Sequence, residues 1–410
     1  MKRPVSGADF IPLLFAGDIN VYSMARAFHE QYGVKSRVFG KALSGPCSGS
    51  GIIDYTCNEN ADRQDIFLEL VDGFARRHSG QKVLLIGCGD SYVRRVSANL
   101  GSYPENVTAP CVSAGLMDTL VHKEKFYALC GKSGVDYPDT FVHRREAGDT
   151  FRPPFEGPFI IKPSDSVAYW ENPFPGQKKV FKTDSAEETE GVLKRIYESG
   201  YDDSVIIQNF IPGDDTYMRV LTCYSDRNGA VKLVCLGHVL LEEHTPHGIG
   251  NHAVIITEHN KALEDRLKSF LESLSYTGFS NFDVKYDRRD GKYKVFEINA
   301  RQGRSNYYVT GAGENLAKYV VEDCIYGNSP EPKTVTERSL WMVVPKKVAF
   351  SYVGPPEYKE EMRKLIAAGR CVNPLLYPPD GGLKRRLRLE KSLLSHYLKF
   401  RKYYGKNRSG

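Results

Sequence analysis

The sequence predicts a mixed α/β and α+β protein, in which a parallel N-terminal sheet precedes a strand-rich region. Strand and helix signals alternate over residues 10–115, and strands dominate residues 158–330. Alternating β-α-β units favour a parallel sheet with helices on its faces. A chain of 410 residues is long enough for two or three domains. We place the boundaries at 1–117, 118–330 and 331–410, the last being a C-terminal extension with a basic helical tail.

The first 115 residues supply the parallel sheet. Strand signals occur in FIPLLFAGD, SRVFG and KVLLIGCGD, and helix signals occur in INVYSMARAFHEQYG, ADRQDIFLELVDGFARRHSG and SYVRRVSANLG. Sites in such sheets collect at the carboxyl ends of the strands. Residues 17–20 and 87–90 occupy ends of this kind, which makes Asp18 and Asn20 candidate substrate-binding residues.

The rest of the chain carries helix and hairpin signals. Residues 118–150 are predicted to be helical and then loop-like. Amphipathic helices are predicted in AEETEGVLKRIYESG and in KALEDRLKSFLESLSYTG, the second with Gly278 as its C-cap. Period-two strands flank the turn in FDVKYDRRDGKYKVFEIN and predict a hairpin. One more strand is predicted in RSLWMVVPKKVAF, and a helix is predicted after residue 380.

Composition and charge exclude several classes of protein. The chain has no apolar run of about 18 residues, so no membrane-spanning helix is expected. Nine cysteines without a C-x-x-C pair indicate reduced thiols and a cytoplasmic setting. Residues 383–410 hold ten Lys or Arg and one Glu, a charge of +9, and the other 382 residues carry −3, which gives the net charge of +6. The remaining chain is close to neutral and gives no electrostatic reason to bind nucleic acid.

Three apparent motifs fail on spacing. The triplet GKS at 131–133 lacks the glycine that a phosphate-binding loop needs five residues earlier. The GCGD at 87–90 lacks the third glycine of a dinucleotide fingerprint. Five histidines, at positions 238, 244, 247, 252 and 259, fit no zinc pattern. Loop or substrate contacts are the better interpretation of these histidines.

Oxygen ligands converge on the predicted hairpin. Strand alternation places Glu297 and Asn299 on one face of the second strand, and Asp283 lies on the first strand. Two carboxylates and an amide oxygen suit a hard cation such as Mg²⁺, which binds with few protein ligands and several phosphate oxygens. The alternative is a solvated hairpin whose acids merely alternate with apolar residues.

A nucleotide would also need cationic and apolar partners. FIIKPSDS places Lys162 at the end of an apolar strand, although a lone strand-end lysine is often only a surface residue. VIIQNFIPGDD is another apolar strand, followed by an acidic pair. The edge of such a strand can offer backbone groups to an adenine and a carboxylate to a ribose.

This order of residues, spread over positions 118–323, resembles the ATP-grasp superfamily, and the first 115 residues fit its preceding α/β domain. The resemblance implies ATP and Mg²⁺, with Mn²⁺ as an alternative. It divides the middle domain into an ATP subdomain (118–212) and a metal subdomain (213–330). Phosphates would be held by Lys123 and Lys162, although His122 stands where an Asp is common before the first lysine.

The same resemblance assigns the other nucleotide contacts. Adenine would be contacted by Gln208, Asn209, Phe210 and Ile211, ribose by Asp215, and metal by Asp283, Glu297 and Asn299. One segment departs from the family. The loop after the second lysine is usually rich in glycine, whereas SDSVAYWENPFPG contains Tyr169 and Trp170 and suggests a bulkier lid over the phosphates.

The segments DINVYSMARAFHEQYG, IPGDDTYMRV and FEINARQGRSNYYVTGAG resemble the D-aspartate ligase type of carboxylate–amine ligase. That type attaches D-aspartate to a lysine side chain of a peptidoglycan precursor, through an acyl phosphate. Arg301 and Arg304 would act catalytically on phosphoryl and carboxylate groups, because guanidinium binds both in a bidentate manner. Arg219 is a further candidate for binding the substrate carboxylate. The alternative for each arginine is an exposed ion pair.

Other interpretations remain open from sequence. An ATP-grasp ligase for other amino acids or metabolites would share every residue above, and a non-catalytic nucleotide-binding regulator is less favoured. The oligomeric state is open. In the tail, LKRRLRLEKSLLSHYLKFRKYY places four leucines (383, 387, 394 and 398) and Tyr397 near one helical stripe. That stripe could contact an anionic membrane surface. The favoured alternative is a packing helix with a solvated basic face.

Overall fold

A computed structural model describes residues 9–147, 151–246 and 248–404. The strands within these ranges form sheets of five, four and eight strands. The elements of the first sheet are β1 (Phe10–Phe15), α1 (Ile19–Tyr32), β2 (Ser36–Gly40), β3 (Ile53–Cys57), α2 (Gln64–Arg77), β4 (Lys82–Gly87), α3 (Asp90–Ala98) and β5 (Val107–Thr108). The three predicted strands and three predicted helices are all present, and β3 and β5 are additional strands that were not predicted. Every pairing in this sheet is parallel.

The strand order of the first sheet creates a crevice. The order is β3-β2-β1-β4-β5, so the direction of winding reverses between β1 and β4. Ligand sites in doubly wound sheets lie outside the carboxyl ends of strands at such a point. Asp18 follows β1 and caps α1 through its carboxylate, and Asp90 begins the helix after β4. Two acidic side chains therefore flank the crevice.

The second sheet is antiparallel and carries the middle of the chain. Helices α4 (Ala114–Val121) and α5 (Lys123–Lys132) precede it. Its elements are β6 (Thr140–His143), β7 (Phe159–Pro163), α6 (Ser166–Glu171), β8 (Phe181–Thr183), α7 (Ala186–Glu198) and β9 (Val205–Asn209). The order is β6-β9-β7-β8. A loop was predicted before residue 150, and this prediction is wrong for the four residues of β6. Four residues are too few to give a clear period-two signal.

The third sheet is the largest. Its elements are β10 (Met218–Ser225), β11 (Val231–Glu242), β12 (His252–Glu258), α8 (Lys261–Ser273), β13 (Gly278–Asp287), β14 (Lys292–Asn299), α9 (Tyr307–Gly311), α10 (Leu316–Cys324), β15 (Lys333–Thr334), β16 (Leu340–Met342), α11 (Lys346–Tyr352), α12 (Pro356–Ala367) and β17 (Cys371–Val372). The main path is β14-β13-β10-β11-β12-β16-β17, and β15 pairs with β11. The strand predicted after residue 338 is present, but it is short and gives way to α11.

The hairpin prediction is confirmed by β13 and β14, and one cap prediction is wrong. Helix α8 ends at Ser273 with Leu274 as its C-cap, so Gly278 does not cap it. Gly278 instead opens β13 with φ of +88°. A Cβ atom there would collide with the carbonyl of Pro110. Close approach of the 110 loop, rather than helix termination, therefore requires this glycine.

The helical tail prediction is also confirmed. Helix α13 (Leu383–Tyr403) ends the described chain. A large apolar core runs continuously from the first sheet into the third, whereas the second sheet and α7 pack around a core of their own. None of the helices in the three described ranges is both long and apolar enough to cross a membrane.

Candidate active site

Two carboxylates and an amide meet on the hairpin. Asp283 pairs directly with Glu297 across the two strands, which turns both side chains and that of Asn299 toward one face. The Asn299 amide donates to Asp283 over 3.4 Å. Burial and then the charge of Glu297 raise the pKa of Asp283 to about 7. Carboxylates held this close favour either a shared proton or a bound cation.

Two partly buried lysines face these acids. Lys123 begins α5, and its Nζ lies 3.3 Å from Ser166 Oγ. Lys162 lies on β7, and its Nζ is 3.3 Å from Gln208 Oε1. Burial lowers the pKa of both lysines, that of Lys162 to about 8, while the charge of Glu297 opposes the shift in each. The structure therefore brings two lysines together beside the carboxylates, and such a cationic pair suits a phosphate group.

An apolar cavity adjoins the lysines. It measures about 200 Å³ and is lined by Pro138, Ile160, Lys162, Val180, Gln208, Asn209, Phe210, Ile211, Lys285 and Phe296. All four residues predicted to contact adenine line it. The Gln208 side chain is buried and binds Lys162 and Thr140 Oγ1, so it orients the lysine. The walls suit a flat heterocycle, because they are mostly apolar with a few polar groups.

Acidic residues continue beyond this cavity. Asp215 accepts from the backbone N–H of Glu242 over 2.9 Å, and His244 Nε2 lies 3.1 Å from the same oxygen. Burial, followed by the charges of Asp215 and Asp283, raises the pKa of Glu242 to about 8. Glu242 was not predicted; its only sequence signal is its place at the end of a long apolar strand.

Arg301 lies between the hairpin and the first sheet. Its guanidinium forms a bidentate pair with Asp90 at 2.7 and 3.0 Å and donates to Asn299 Oδ1 over 3.2 Å. Burial would raise the pKa of Asp90, but Arg301 holds it below its usual value. Asp90 was not predicted as a site residue, although its position after β4 was noted. The pair fixes the edge of the crevice against the metal-ligand candidates.

Arg304 makes fewer close contacts than Arg301, and several charged side chains lie near it. Its guanidinium is 4.0 Å from Glu243, and its side chain is 36% exposed. Burial raises the pKa of Asp18, and the positive charge of Arg304 opposes that rise. Burial and Arg304 also lower the pKa of His252 to about 4. This cation is therefore available to a ligand in the crevice.

Asn20 lies in the same region, but its side chain is hydrogen-bonded to other residues of the protein. Its amide donates to the carbonyls of Cys88 and Gln302 at 2.9 and 3.1 Å. Its oxygen accepts from Asn306 over 2.8 Å. Gly303 in the same loop lies so close to the Asn281 amide that a Cβ atom would collide with it. Asn20 thus holds the loop that carries Arg301 and Arg304 in place.

Arg219 is not brought to this group. It is opposite Val284 in the sheet, whereas Val220 is opposite Asp283, so alternation puts Arg219 on the other face. Its guanidinium binds Glu258 over 2.9 Å and donates to the carbonyls of Thr216 and Met218. Hydrogen bonds from His238 and Arg219 outweigh burial and lower the pKa of Glu258 to about 2. This buried network holds the strand that follows the hinge.

The segment after Lys162 differs from the expected lid. Residues 166–171 form the short helix α6, capped by Asp165. Tyr169 is fully buried and donates to the carbonyl of Lys178, so it anchors the segment in the core instead of covering phosphates. Trp170 is 52% exposed. The charge of Lys179, beyond this helix, acts on Lys123, Lys162 and Asp283, which places an unpredicted cation over the site.

The histidine cluster divides among local contacts. His238, His244, His252 and His259 each lie near a carboxylate, respectively Glu258, Asp215, Glu242 and Glu264. His247 lies outside the described residues. Another cavity, of about 570 Å³, lies beside α5. No predicted site residue lines it.

The donor set fits a hard cation. Across the described ranges, no three His, Cys, Asp or Glu side chains cluster to hold a metal alone. The candidate set has two carboxylates and one amide, and burial together with the charge of Glu297 raises the pKa of Asp283. Few protein ligands beside a phosphate-binding region is the pattern of Mg²⁺. As a ligand, Asn299 would turn its amide oxygen toward these carboxylates.

Known proteins confirm the fold. The synthetase "N5-Carboxyaminoimidazole synthetase" of Staphylococcus aureus, complexed with ADP, matches 86% of both chains at 13% identity with a TM-score of 0.59. An L-amino acid ligase of Bacillus licheniformis matches 77% of this chain and 74% of its own at 14% identity, with a TM-score of 0.51. A biotin carboxylase of Campylobacter jejuni matches 80% and 74% at 12% identity, with a TM-score of 0.56. The fold is the ATP-grasp fold.

Sequence comparison identifies the family. No protein-family model matches the chain. A D-aspartate ligase of Enterococcus faecium (strain Aus0004) is 39% identical over 417 residues, which cover 98% of this chain and 99% of that protein. The likeness thus includes the N-terminal sheet, the candidate site and the C-terminal helix. The protein is an ATP-dependent ligase that forms carbon–nitrogen bonds, and it belongs to the D-aspartate ligase family of ATP-grasp carboxylate–amine ligases.

Proposed function

We propose that this ligase uses ATP to activate the carboxylate of D-aspartate and joins it to the side-chain amine of a lysine in a peptidoglycan precursor. The near full-length identity with a D-aspartate ligase carries this proposal. The site supports it, because it combines partly buried acids, two partly buried lysines and an arginine that is available to a ligand. An L-amino acid ligase shares only the fold at 14% identity, so dipeptide synthesis is the weaker candidate.

The proposed reaction runs in two steps at this site. A carboxylate oxygen of the amino acid attacks the γ-phosphorus of ATP, so that ADP leaves and an acyl phosphate forms. The amine then attacks the acyl carbon, the tetrahedral adduct loses phosphate and a proton, and an amide remains. No protein nucleophile is needed; catalysis consists of positioning and of neutralising phosphoryl charge. Lys123 and Lys162 carry out the second task.

The nucleotide would lie along the hinge strand. We infer that the cavity at Gln208–Ile211 takes adenine, and that Asp215, with Glu242 beside it, takes the ribose hydroxyls. Asp283, Glu297 and Asn299 would hold Mg²⁺, or Mn²⁺ in its place. That cation would supply positive charge to the phosphate oxygens.

The amino acid would lie at the crevice of the first sheet. A dicarboxylate such as aspartate needs a cation for the carboxylate that does not react. Arg304 suits that carboxylate because, among the residues that the structure describes, its one ion-pair contact is with Glu243 at 4.0 Å. Asp18, on the opposite side of the crevice, suits the ammonium group. Arg301 is held by Asp90 and Asn299, which favours a phosphoryl contact near the metal ligands.

We also propose a cytoplasmic location and small-molecule partners. All nine cysteines are free thiols, as expected in a reducing compartment. The partners would be the amino acid and a lysine-containing amine acceptor. A membrane contact of the basic tail is a separate proposal, because it depends on helix α13 alone.

Substrate choice is tested by ATP turnover. ADP release should be measured with D- and L-amino acids, each with and without a lysine-containing muropeptide. Stimulation by D-aspartate, increased by the muropeptide, is the expected result. Stimulation by L-amino acids alone would refute the substrate while leaving the ligase assignment intact. Arg304→Ala should raise the KM for D-aspartate, and Arg219→Lys, on the other face of the sheet, is the matched control.

A further inference from the structure

The C-terminal helix packs with an unusual face. Its buried residues are Arg385, Leu389, His396 and Phe400. Arg385 lies 3.1 Å from Asp380, stacks 4.6 Å above the Tyr22 ring and donates to the carbonyl of Ser48. At the other end, Phe400 belongs to an apolar cluster with α11 and α12. Because both ends are tied down, the orientation of α13 about its axis is fixed.

The fixed orientation turns four leucines outward. Leu383, Leu387, Leu394 and Leu398 are 73%, 58%, 63% and 73% exposed, respectively. At about 100° per residue these positions fall within about 60° of arc. The helix packs as predicted, but through another face: the leucine stripe faces solvent, and Arg385, Leu389, His396 and Phe400 are buried instead. An exposed row of leucines on one helix face indicates an interaction surface.

Basic side chains border the leucine row. Lys384, Lys391 and Lys402 lie along one side, and Arg386 lies on the other, where it pairs with Glu390 at 3.0 Å. Helix α13 has eight Lys or Arg and one Glu, a net charge of +7. An apolar stripe flanked by Lys and Arg is the pattern of helices that lie in the interface of a membrane.

We propose that this leucine row, with its flanking lysines, docks the enzyme onto an anionic lipid surface. A helix of 21 residues is about 31 Å long and would lie in the membrane plane. The leucines would enter the boundary between headgroups and acyl chains, and the lysines would contact lipid phosphates. This docking is independent of the amino acid that the ligase uses.

Charge favours this occupant over two others. A second copy of the chain would bring two helices of charge +7 face to face, and their lysines would repel. A nucleic acid would use the basic residues but would leave four leucines in water. An anionic lipid surface satisfies both the charge and the apolar row.

The experiment is sedimentation of the full-length enzyme with vesicles. Vesicles of phosphatidylcholine containing about 30% phosphatidylglycerol are compared with pure phosphatidylcholine. Binding to the anionic vesicles is expected at about 0.1 M salt and should fall strongly at about 1 M salt, where charges are screened. Leu394→Ser should lower the partition coefficient by about tenfold. Lys391→Gln should lower it by about fivefold.

Control variants distinguish docking through α13 from non-specific binding to vesicles. Leu376→Ser removes a leucine that is 50% exposed outside α13, and it should bind vesicles as the parent does. All three variants should keep the parent rate of ADP release in solution. Equal binding to neutral vesicles, or unchanged binding of Leu394→Ser, would overturn the proposal. A dimer in sedimentation equilibrium that Leu394→Ser dissociates, without vesicle binding, would assign the row to a second copy instead.

Discussion

Replacing Asp283 by Asn should stabilise the metal-free protein while it abolishes turnover. Asp283 is partly buried and lies opposite Glu297, and desolvation followed by the charge of Glu297 raises its pKa from 3.8 to about 7. The unfolded chain therefore loses this proton at lower pH than the folded chain. As pH rises from about 4 through 7, the folded state is progressively destabilised, because it binds more protons than the unfolded state.

The size of the effect follows from the same pKa. A rise from 3.8 to about 7 corresponds to at most about 4 kcal/mol at pH 8. At pH 5 most of the folded protein is protonated at this group, and the penalty is about 1.5 kcal/mol. Asn has the same shape without the charge. The free energy of unfolding of Asp283→Asn, relative to the parent, should thus be about 3 kcal/mol more favourable at pH 8 than at pH 5.

The assay is urea unfolding in EDTA at both pH values. Trp341 is fully buried in the same sheet and reports its unfolding by fluorescence. Glu258→Gln is the matched control in this sheet, because the pKa of Glu258 is lowered to about 2. A group of that kind stabilises the folded state above its unfolded pKa. Glu258→Gln should therefore destabilise the protein at both pH values, with little difference between them.

Two results would refute the reasoning. If Asp283→Asn destabilised the protein at pH 8 by as much as at pH 5, the pKa of Asp283 would not be raised in the folded protein. If the variant retained ATP turnover within about tenfold of the parent, Asp283 would not be a metal ligand, because loss of a metal ligand lowers turnover by much more than tenfold.

Three further predictions concern the cations and the C-terminal segment. The pKa of Lys162 is lowered to about 8, so kcat/KM for ATP should fall about tenfold per pH unit above pH 8, whereas Lys162→Arg should show a flat profile up to pH 10; the same decline in the arginine variant would reject Lys162 as the titrating group. Arg304→Ala should raise the KM for the amino acid by about 10- to 100-fold at an unchanged KM for ATP, and Arg304→Lys should recover part of it; equal increases in both KM values would indicate a structural defect. Asp380→Ala should destabilise the protein by about 3 to 5 kcal/mol, because Arg385 would stay buried without its partner, and thermal unfolding that matches the parent would contradict this.

Local patterns predicted the hairpin and its ligand candidates. Strand alternation, a turn sequence and the spacing of Glu297 and Asn299 are all set within a few residues, so the convergence of these groups follows from the sequence. Three strands and three helices of the first sheet were predictable for the same reason, whereas β3 and β5 were not predicted. The prediction of a site at the carboxyl ends of β1 and β4 rested on the general position of ligand sites in parallel sheets, and no sequence motif contributed to it.

Contacts between distant residues were not predictable. Arg301 binds Asp90, which lies 211 positions earlier, and Asn20 binds Asn306, which lies 286 positions later. Neither partner carries a local signal. Arg219 looked available in sequence because its partner Glu258 is on another strand. Each of these roles depends on tertiary packing that periodicity does not record.

Helix α13 shows how a buried ion pair can override the apolar pattern. The leucine stripe predicted the packing face, because burial of leucine normally decides how a surface helix turns. Here Asp380 sits in the core with Tyr22 and Ser50 as partners, and it needs a cation. Arg385 supplies that cation, which turns the leucines outward. A single tertiary requirement thus reversed the inference from periodicity.

The most direct test of the proposed function traps the acyl phosphate. The enzyme is incubated with ATP, Mg²⁺ and D-aspartate, and hydroxylamine replaces the amine acceptor. We expect aspartyl hydroxamate to form in a one-to-one ratio with ADP, to disappear in Lys162→Met and to be nearly absent with L-aspartate. Hydroxamate from L-amino acids but not from D-aspartate, or ADP release without any hydroxamate, would contradict the account.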